Sequence, residues 1–420
     1  MLTNAELANF LTSIVALLLA AHLMGFAFER LRLPRVVGEI TGGFILGPSC
    51  LGYFAPGITE FLIPGDPFQD RLLNAFHWVG LTLLMFTAGF RVQHGVFQHD
   101  KRVMLVLLAS VTVLPFLAGW AITVFIDMST YNGPNGNALT LALIVGIAVA
   151  VTSIPVISRI FIDLDIIQTR FSRIVIGVAT VQDILLWAVL AIATSLAGVE
   201  FASKTNLTLA VAKPFLFCAV GIIVGPFLLT FVQRLRFTAV VRSAKLGFAL
   251  IWCFLVAQFA ALLDVNVIFG AFVAGIVLGS LKPGQMENEK NQIASFSLAF
   301  FIPLYFAIVG YAIDLPNAFD FALFFGFLCF STAIEGLCAY AAMRALKFGN
   351  LTSFNFAVAM NTRGGPGIVL ASITLGVGLI DERMYVALVL TAIVTSIIAG
   401  AWFRYVTRRG HPLMEDDSGK

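Results

Sequence analysis

Gln182 and Asp183 stand side by side in a stretch, Ile174 to Leu196, that carries no other charge. A run of that length can cross a bilayer as a helix, which takes about 20 residues. An ionised Asp at the centre of such a helix costs roughly 2.5–3.5 kcal/mol on insertion scales, and such residues usually mark an ion or proton path. Taking a carboxyl group out of water disfavours its ionised form, so a buried acid can trade a proton for a cation near neutral pH. The plainer alternative is a carboxyl group that hydrogen-bonds a helix break and does nothing else. Gln182 either offers its amide oxygen to a cation or hydrogen-bonds broken backbone.

Two further groups could share that site. Thr152-Ser153-Ile154-Pro155 interrupts one apolar run, where Pro155 removes a backbone donor and the hydroxyls supply oxygens. Asn361-Thr362-Arg363-Gly364-Gly365-Pro366 interrupts another. Hard cations favour oxygen ligands, which makes Thr152 and Ser153 candidate ligands, with Thr180 behind them. Each of these hydroxyls could instead bond back to the preceding turn. Arg363 could neutralise unwound helix ends or pair with an acid. Glu335, deep in its own run, is a bridge for Arg363 or a second proton site. Glu39 either feeds a cytoplasmic funnel or pairs with Arg35. His22, His77, Gln258 and Trp187 read as packing or interface residues. Asn206-Leu-Thr208 fits the glycosylation pattern, which chance supplies in a long chain.

Such residues need helices to hold them, and composition provides for that. The 420 residues are 59% hydrophobic and 12% charged, with a mean hydropathy of +0.95. A soluble domain carries about 25% charged residues, so the chain is an all-α polytopic membrane protein. The first residues lack a basic segment, which argues against a cleaved signal peptide. The five cysteines (Cys50, Cys218, Cys253, Cys329, Cys338) show no paired spacing and read as small core residues. Nothing in the sequence supports hydrolytic, phosphate-binding or metal chemistry, a cofactor or a nucleic-acid partner, and we expect no enzyme.

Thirteen apolar runs are expected to span the membrane, at about 6–28, 34–52, 71–90, 103–126, 138–161, 174–196, 208–232, 244–263, 266–281, 293–313, 319–343, 352–379 and 383–405. The loops alternate in charge. Of the 26 Lys and Arg, only Arg71, Lys204, Lys213 and Arg383 fall on one side, Arg363 lies within a span, and the rest share the other side. The positive-inside rule then puts the N-terminus outside and the C-terminus in the cytoplasm. The fifth and twelfth runs are the interrupted ones. Paired broken helices point to a transporter built from inverted repeats, with the substrate near their crossing. Repeat one covers about 6–196, a linker helix about 208–232 and repeat two about 244–405. Together these form one membrane domain, 1–409, and residues 410–420 form a short cytoplasmic tail.

Several strings carry a family resemblance: Val37-Gly-Glu39-Ile-Thr-Gly42-Gly43 to Gly47-Pro48, Leu84 to Gly89, Thr152-Ser153-Ile154-Pro155-Val156, Gln182-Asp183, Phe300-Phe301-Ile-Pro, Val309-Gly310, Ile313-Asp314 and Asn361-Thr362-Arg363-Gly364. With them the chain resembles the monovalent cation:proton antiporters of the second cation-proton-antiporter class. The resemblance implies the NhaA/NapA-like fold, with 13 transmembrane helices, two inverted six-helix repeats, a linker helix and two discontinuous crossing helices. It also implies a homodimer, with spans one and eight as the interface. Relatives with two adjacent aspartates use both, and pair one with a lysine in the tenth span. This chain has Gln182 in the first position and no lysine in 291–313. Gln-Asp resembles the potassium-selective, electroneutral-type members.

The expectation is a secondary antiporter exchanging protons for a monovalent cation, K⁺ ahead of Na⁺, by alternating access in a bacterial inner membrane. Asp183 would bind the proton or the cation, aided by Gln182, Thr152 and Ser153. Pro155, Asn361, Thr362, Arg363, Glu39 and Glu335 would support the site. The rival readings are a cation channel or uniporter, a sensor subunit on the same fold, and a carrier for an organic ion or ammonium.

Overall fold

Backbone polar groups inside a bilayer find no water, so the apolar runs must close their hydrogen bonds internally and become helices. The computed structural model describes residues 3–31, 33–90, 100–197, 204–234, 244–281 and 286–414. Of the 26 Lys and Arg, Arg32, Arg91, Arg236, Arg242, Lys282 and Lys420 lie outside the described residues. So do the side chains of Pro155, Lys204, Arg234 and Asn206-Leu-Thr208.

The chain opens with α1 (Asn4–Arg30), α2 (Arg35–Leu46), two short helices, α3 (Leu51–Phe54) and α4 (Pro56–Leu62), and then α5 (Pro67–Phe90). α6 (Lys101–Phe125), α7 (Ala138–Ala150), α8 (Ile154–Asp163) and α9 (Arg170–Ser195) follow. Next come α10 (Lys204–Arg234), α11 (Lys245–Leu262), α12 (Val267–Gly279) and α13 (Glu287–Phe296). A wide π turn, Ser297–Phe301, joins α13 to α14 (Ile302–Tyr311). The last elements are α15 (Leu315–Ala318), α16 (Phe321–Ala345), α17 (Asn350–Met360), α18 (Gly364–Gly376) and α19 (Glu382–Arg408). Among the described residues, the β structure is a single antiparallel bridge between Asn132 and Ile380.

Nine helices among the described residues are long and apolar enough to cross a membrane. The expected count of thirteen is not reached by helix length, and the four remaining runs show why. The fifth and twelfth are each two half-helices, and α2 and α12 have only 12 and 13 residues. The tenth run begins earlier than expected, at Glu287, which brings Lys290 into the first turn of α13, 2.7 Å from Glu287. Cys218 and Cys253 are buried as expected, whereas Cys329 is exposed on α16.

The helices sort into two units. One takes α1 up to Leu23, α2 from Glu39 onward, α3–α5 and α10–α14. In it, α5 packs on α12 and α14. Gly43 belongs to this unit, and a Cβ there would overlap the Ala307 carbonyl of α14. The second unit takes residues 24–38, α6–α9 and α15–α19. The ring pairs Phe161–Phe171, Phe161–Phe403 and Phe171–Phe356, with centroids 5.7, 5.5 and 4.6 Å apart, sit in its core. The expected tail also contributes there. Gly410 turns the chain at φ +67, and Leu413 and Met414 are buried against that core. The buried Asn355 of α17 donates to the Leu413 carbonyl at 3.0 Å and accepts from Trp402 Nε1 at 2.9 Å.

Because backbone and not a flexible side chain meets the added atom at position 43, Gly43→Val should prevent α2 from seating on α14. We expect a sharp loss of monodisperse protein on size-exclusion chromatography, with Gly57→Val, where nothing lies within 4 Å of an added Cβ, as the tolerated control.

Candidate functional site

α7 is entirely apolar but for Thr140, and it starts on a capping box in which Asn137 and Thr140 exchange hydrogen bonds. It stops at Ala150 because a continuous helix would set the ring of Pro155 against the Val151 carbonyl, to which proline has no N–H to offer. Ser153 then caps α8, its hydroxyl accepting from the Val156 N–H at 3.4 Å. α17 ends at Met360 and α18 restarts at Gly364, whose φ of +30 favours glycine.

The two breaks touch. Ser153 N–H donates to the Thr362 carbonyl at 2.5 Å, and Gly365 N–H donates to the Ser153 hydroxyl at 3.2 Å. Thr152 Oγ1 donates to the Met360 carbonyl at 2.7 Å. The Ser153 oxygen therefore serves the N-terminal ends of α8 and α18 together, while Thr152 serves the C-terminal end of α17.

Arg363, 2% exposed, serves the C-terminal end of α7. Its Nε donates to the Ala148 carbonyl at 3.2 Å and its Nη2 to the Val149 carbonyl at 3.1 Å. The same group reaches Glu335 Oε2 at 2.8 Å, the Ser331 carbonyl at 3.0 Å and Asn361 Oδ1 at 3.0 Å. Glu335 is fully buried, and its other oxygen lies 3.4 Å from Thr152 Oγ1. A guanidinium at a helix C-terminus is favourable twice over, through hydrogen bonds and through the helix dipole.

α9 packs on α7, α8 and α18, and both Gln182 and Asp183 are buried on it. Thr169 caps its start by accepting from the Ser172 N–H. Gln182 Nε2 donates to the Ala150 carbonyl at 2.5 Å and to the Val111 carbonyl of α6 at 3.1 Å. Its amide thus closes the last freed carbonyl of α7. Gln182 Oε1 and Asp183 Oδ1 are buried and meet no hydrogen-bond donor among the described residues. Two neighbouring side chains therefore each keep an acceptor oxygen unused, which a proton or an oxygen-seeking cation could take up. Among the described residues, no group of three or more His, Cys, Asp or Glu could hold a metal ion.

The sodium/hydrogen exchanger family (transmembrane) matches residues 14–409. The chain belongs to that family. It is 28% identical over 404 residues to the Na⁺/H⁺-K⁺ antiporter GerN of Bacillus cereus, covering 94% of this chain and 96% of that one. It is equally similar, over 409 residues and 92% and 94% of the two chains, to the Na⁺/H⁺ antiporter NhaS4 of Synechocystis. In fold it is similar to the sodium proton antiporter MjNhaP1 of Methanocaldococcus jannaschii at pH 8, with a TM-score of 0.65, 12% identity and coverage of 99% and 100%.

In this exchanger-family chain the crossing brings together Thr152, Ser153, Gln182, Glu335, Asn361, Thr362 and Arg363, with Asp183 next to Gln182. Pro155 follows in the first turn of α8. Thr180 bonds back to the Ile176 carbonyl at 2.7 Å. Glu39 is buried in the other unit. Sequence reasoning missed the carbonyls of Ala148, Val149, Ala150, Ser331 and Val111, since backbone groups carry no residue-type signal. It also missed Thr395, whose hydroxyl accepts from Arg363 N–H at 3.4 Å. Thr391 and Thr395, four residues apart on one face of α19, were the available clue.

Removing one partner of a buried ion pair strands the other. Glu335→Leu or Arg363→Leu should each cost about 3–5 kcal/mol of stability, read as a lower unfolding midpoint in detergent, with the double variant costing less than the sum. Gln182→Leu should cost about 1–3 kcal/mol by leaving the Ala150 carbonyl unsatisfied.

Proposed function

We propose that this chain is a secondary antiporter that exchanges protons for a monovalent cation by alternating access, with Asp183 taking the proton and the cation in turn. One observation carries the reading. Next in sequence to Gln182, whose amide caps the end of α7, Asp183 keeps a buried carboxylate oxygen without a donor among the described residues. The names of the relatives point the same way, since GerN and NhaS4 are both antiporters that include Na⁺ and H⁺ among their ions.

Because proton and cation compete for one carboxylate, binding of either expels the other, and coupling follows without further machinery. Gln182 contributes its amide oxygen to the cation while its NH₂ group stays on α7; Thr152 and Ser153 hold the walls of the site. One carboxylate carries one charge, so a proton is exchanged for a single cation and the cycle is electroneutral. The Gln-Asp pair favours K⁺ over Na⁺. We further infer thirteen spans in two inverted repeats joined by α10, a homodimer through α1 and α11, an outside N-terminus, a cytoplasmic C-terminus and a bacterial inner membrane.

The test uses proteoliposomes loaded with a pH-sensitive dye. Addition of K⁺ or Na⁺ should release trapped protons in wild type. Asp183→Asn should lose that response entirely while keeping its folded yield, and clamping the membrane voltage should leave the wild-type rate unchanged. Cation flux without proton movement would make the protein a channel; exchange surviving in Asp183→Asn would remove the carboxylate from the mechanism.

A further inference from the structure

α6 carries a buried proline in its interior, Pro115. A proline there has no N–H for the carbonyl four residues back, and its ring crowds that carbonyl, so the position is costly to a helix. In α6 the carbonyl concerned belongs to Val111. It is the one that accepts from Gln182 Nε2 at 3.1 Å. The acceptor that Gln182 uses outside α7 is therefore one that the sequence of α6 releases.

Close packing brings the released carbonyl to the end of α7, within the second unit. A Cβ on Gly119 of α6 would stand 2.8 Å from the Gly146 Cα of α7, and one on Gly146 would stand 2.9 Å from the Phe116 ring. Only glycines allow the two backbones so near each other. Four residues back along α6 from Gly119 is Pro115, and four residues on along α7 from Gly146 is Ala150, its last. One amide then reaches carbonyls on both helices.

The Gln182 amide has two N–H bonds and one oxygen. Its nitrogen lies 2.5 Å from the Ala150 carbonyl oxygen and 3.1 Å from that of Val111. Carbonyl oxygens only accept, so the nitrogen and not the oxygen must face them, and both amide hydrogens are committed. Oε1 is left buried and without a donor among the described residues. With one acceptor in place of two, the amide would be free to swing about its terminal bond, and the oxygen would lose its fixed direction.

We propose that Pro115 is a positioning residue for the ion site. By withholding an N–H from the Val111 carbonyl it supplies the second acceptor that locks the Gln182 amide, and so fixes the oxygen that Gln182 presents to the cation. The cation in this statement rests on the exchange reading above; the lock rests on the contacts of α6, α7 and α9. How well a site holds one cation depends on the number and flexibility of its oxygen ligands, so the proline acts on cation affinity.

The experiment compares wild type, Pro115→Ala, Gln182→Leu and the double variant by thermal unfolding in detergent. It also measures K⁺-driven proton release from proteoliposomes for wild type and Pro115→Ala. An alanine at 115 gives the Val111 carbonyl its helical N–H. Gln182→Leu strands two carbonyls in the wild-type background and one in the Pro115→Ala background, so its lowering of the midpoint should be about half as large there. Pro115→Ala should raise KM for K⁺ about two- to tenfold, the range one neutral hydrogen bond is worth, with kcat little changed. Pro115→Val, which brings the same N–H with a bulkier apolar side chain, should behave alike and separates the N–H from the space the ring fills. An equal lowering of the midpoint by Gln182→Leu in both backgrounds, or an unchanged KM in Pro115→Ala and Pro115→Val, would each overturn the proposal. Wild-type vesicles that release no protons would overturn the exchange reading instead, and the unfolding set would still decide whether Pro115 holds Gln182.

Discussion

Ending a helix halfway through a bilayer strands carbonyl groups where no water can reach them, and in this chain one guanidinium takes up two of those at the end of α7. Arg363 occupies the Ala148 and Val149 carbonyls of α7 and the Ser331 carbonyl of α16. It then balances its own buried charge against Glu335. The broken helix, the crossing and the position of α9 all presuppose that arrangement. Without it, α7 would present the negative end of its dipole to an apolar interior. A lysine could not replace it, because a single ammonium cannot reach acceptors on three helices from one plane.

What Arg363 settles for α7, Gln182 completes, and this gives the residue beside Asp183 a definite character. Its NH₂ group is committed to two carbonyls, on α7 and α6, which fixes the amide and turns its oxygen away from them. The side chain is neutral at any pH and contributes no charge of its own to the site. The positive residue at the crossing, Arg363, is matched by Glu335, and the buried Asp183 meets no cation among the described residues. A site with a single unmatched carboxylate differs in kind from one with a carboxylate pair, where two like charges share the space and one is forced to hold a proton.

Much of this was legible before any coordinate. Pro155 and Gly364-Gly365-Pro366 announced both breaks through the backbone chemistry of their residues, and the uncharged surroundings of Asp183 announced a buried carboxylate. The Glu335–Arg363 pair was one of two readings left open, because the sequence placed both residues at depth without showing which faces they share. Gln182 was undecided for the same reason: the choice between ion ligand and backbone cap depends on where α7 stops to within one residue. The number of spans was the least secure. Hydropathy sees runs of apolar residues, yet a half-helix of 10–13 residues is too short to cross alone, and two of them in one run look like a single span. The apolar Leu413 and Met414 were hidden in plain view, read with their polar neighbours as tail.

That last segment bears on how the protein can be handled. Leu413 and Met414 fill the base of the second unit, and the carbonyl of Leu413 satisfies an asparagine that is buried in α17. Residues 410–414 therefore belong to the folded body, although they follow the last long helix. An affinity tag or reporter fused directly behind Arg409 would pull two apolar side chains out of their seat and leave Asn355 without one of its partners. The same tag placed beyond Met414 leaves that seat occupied, so the choice of fusion point alone separates an intact protein from one with an opened core.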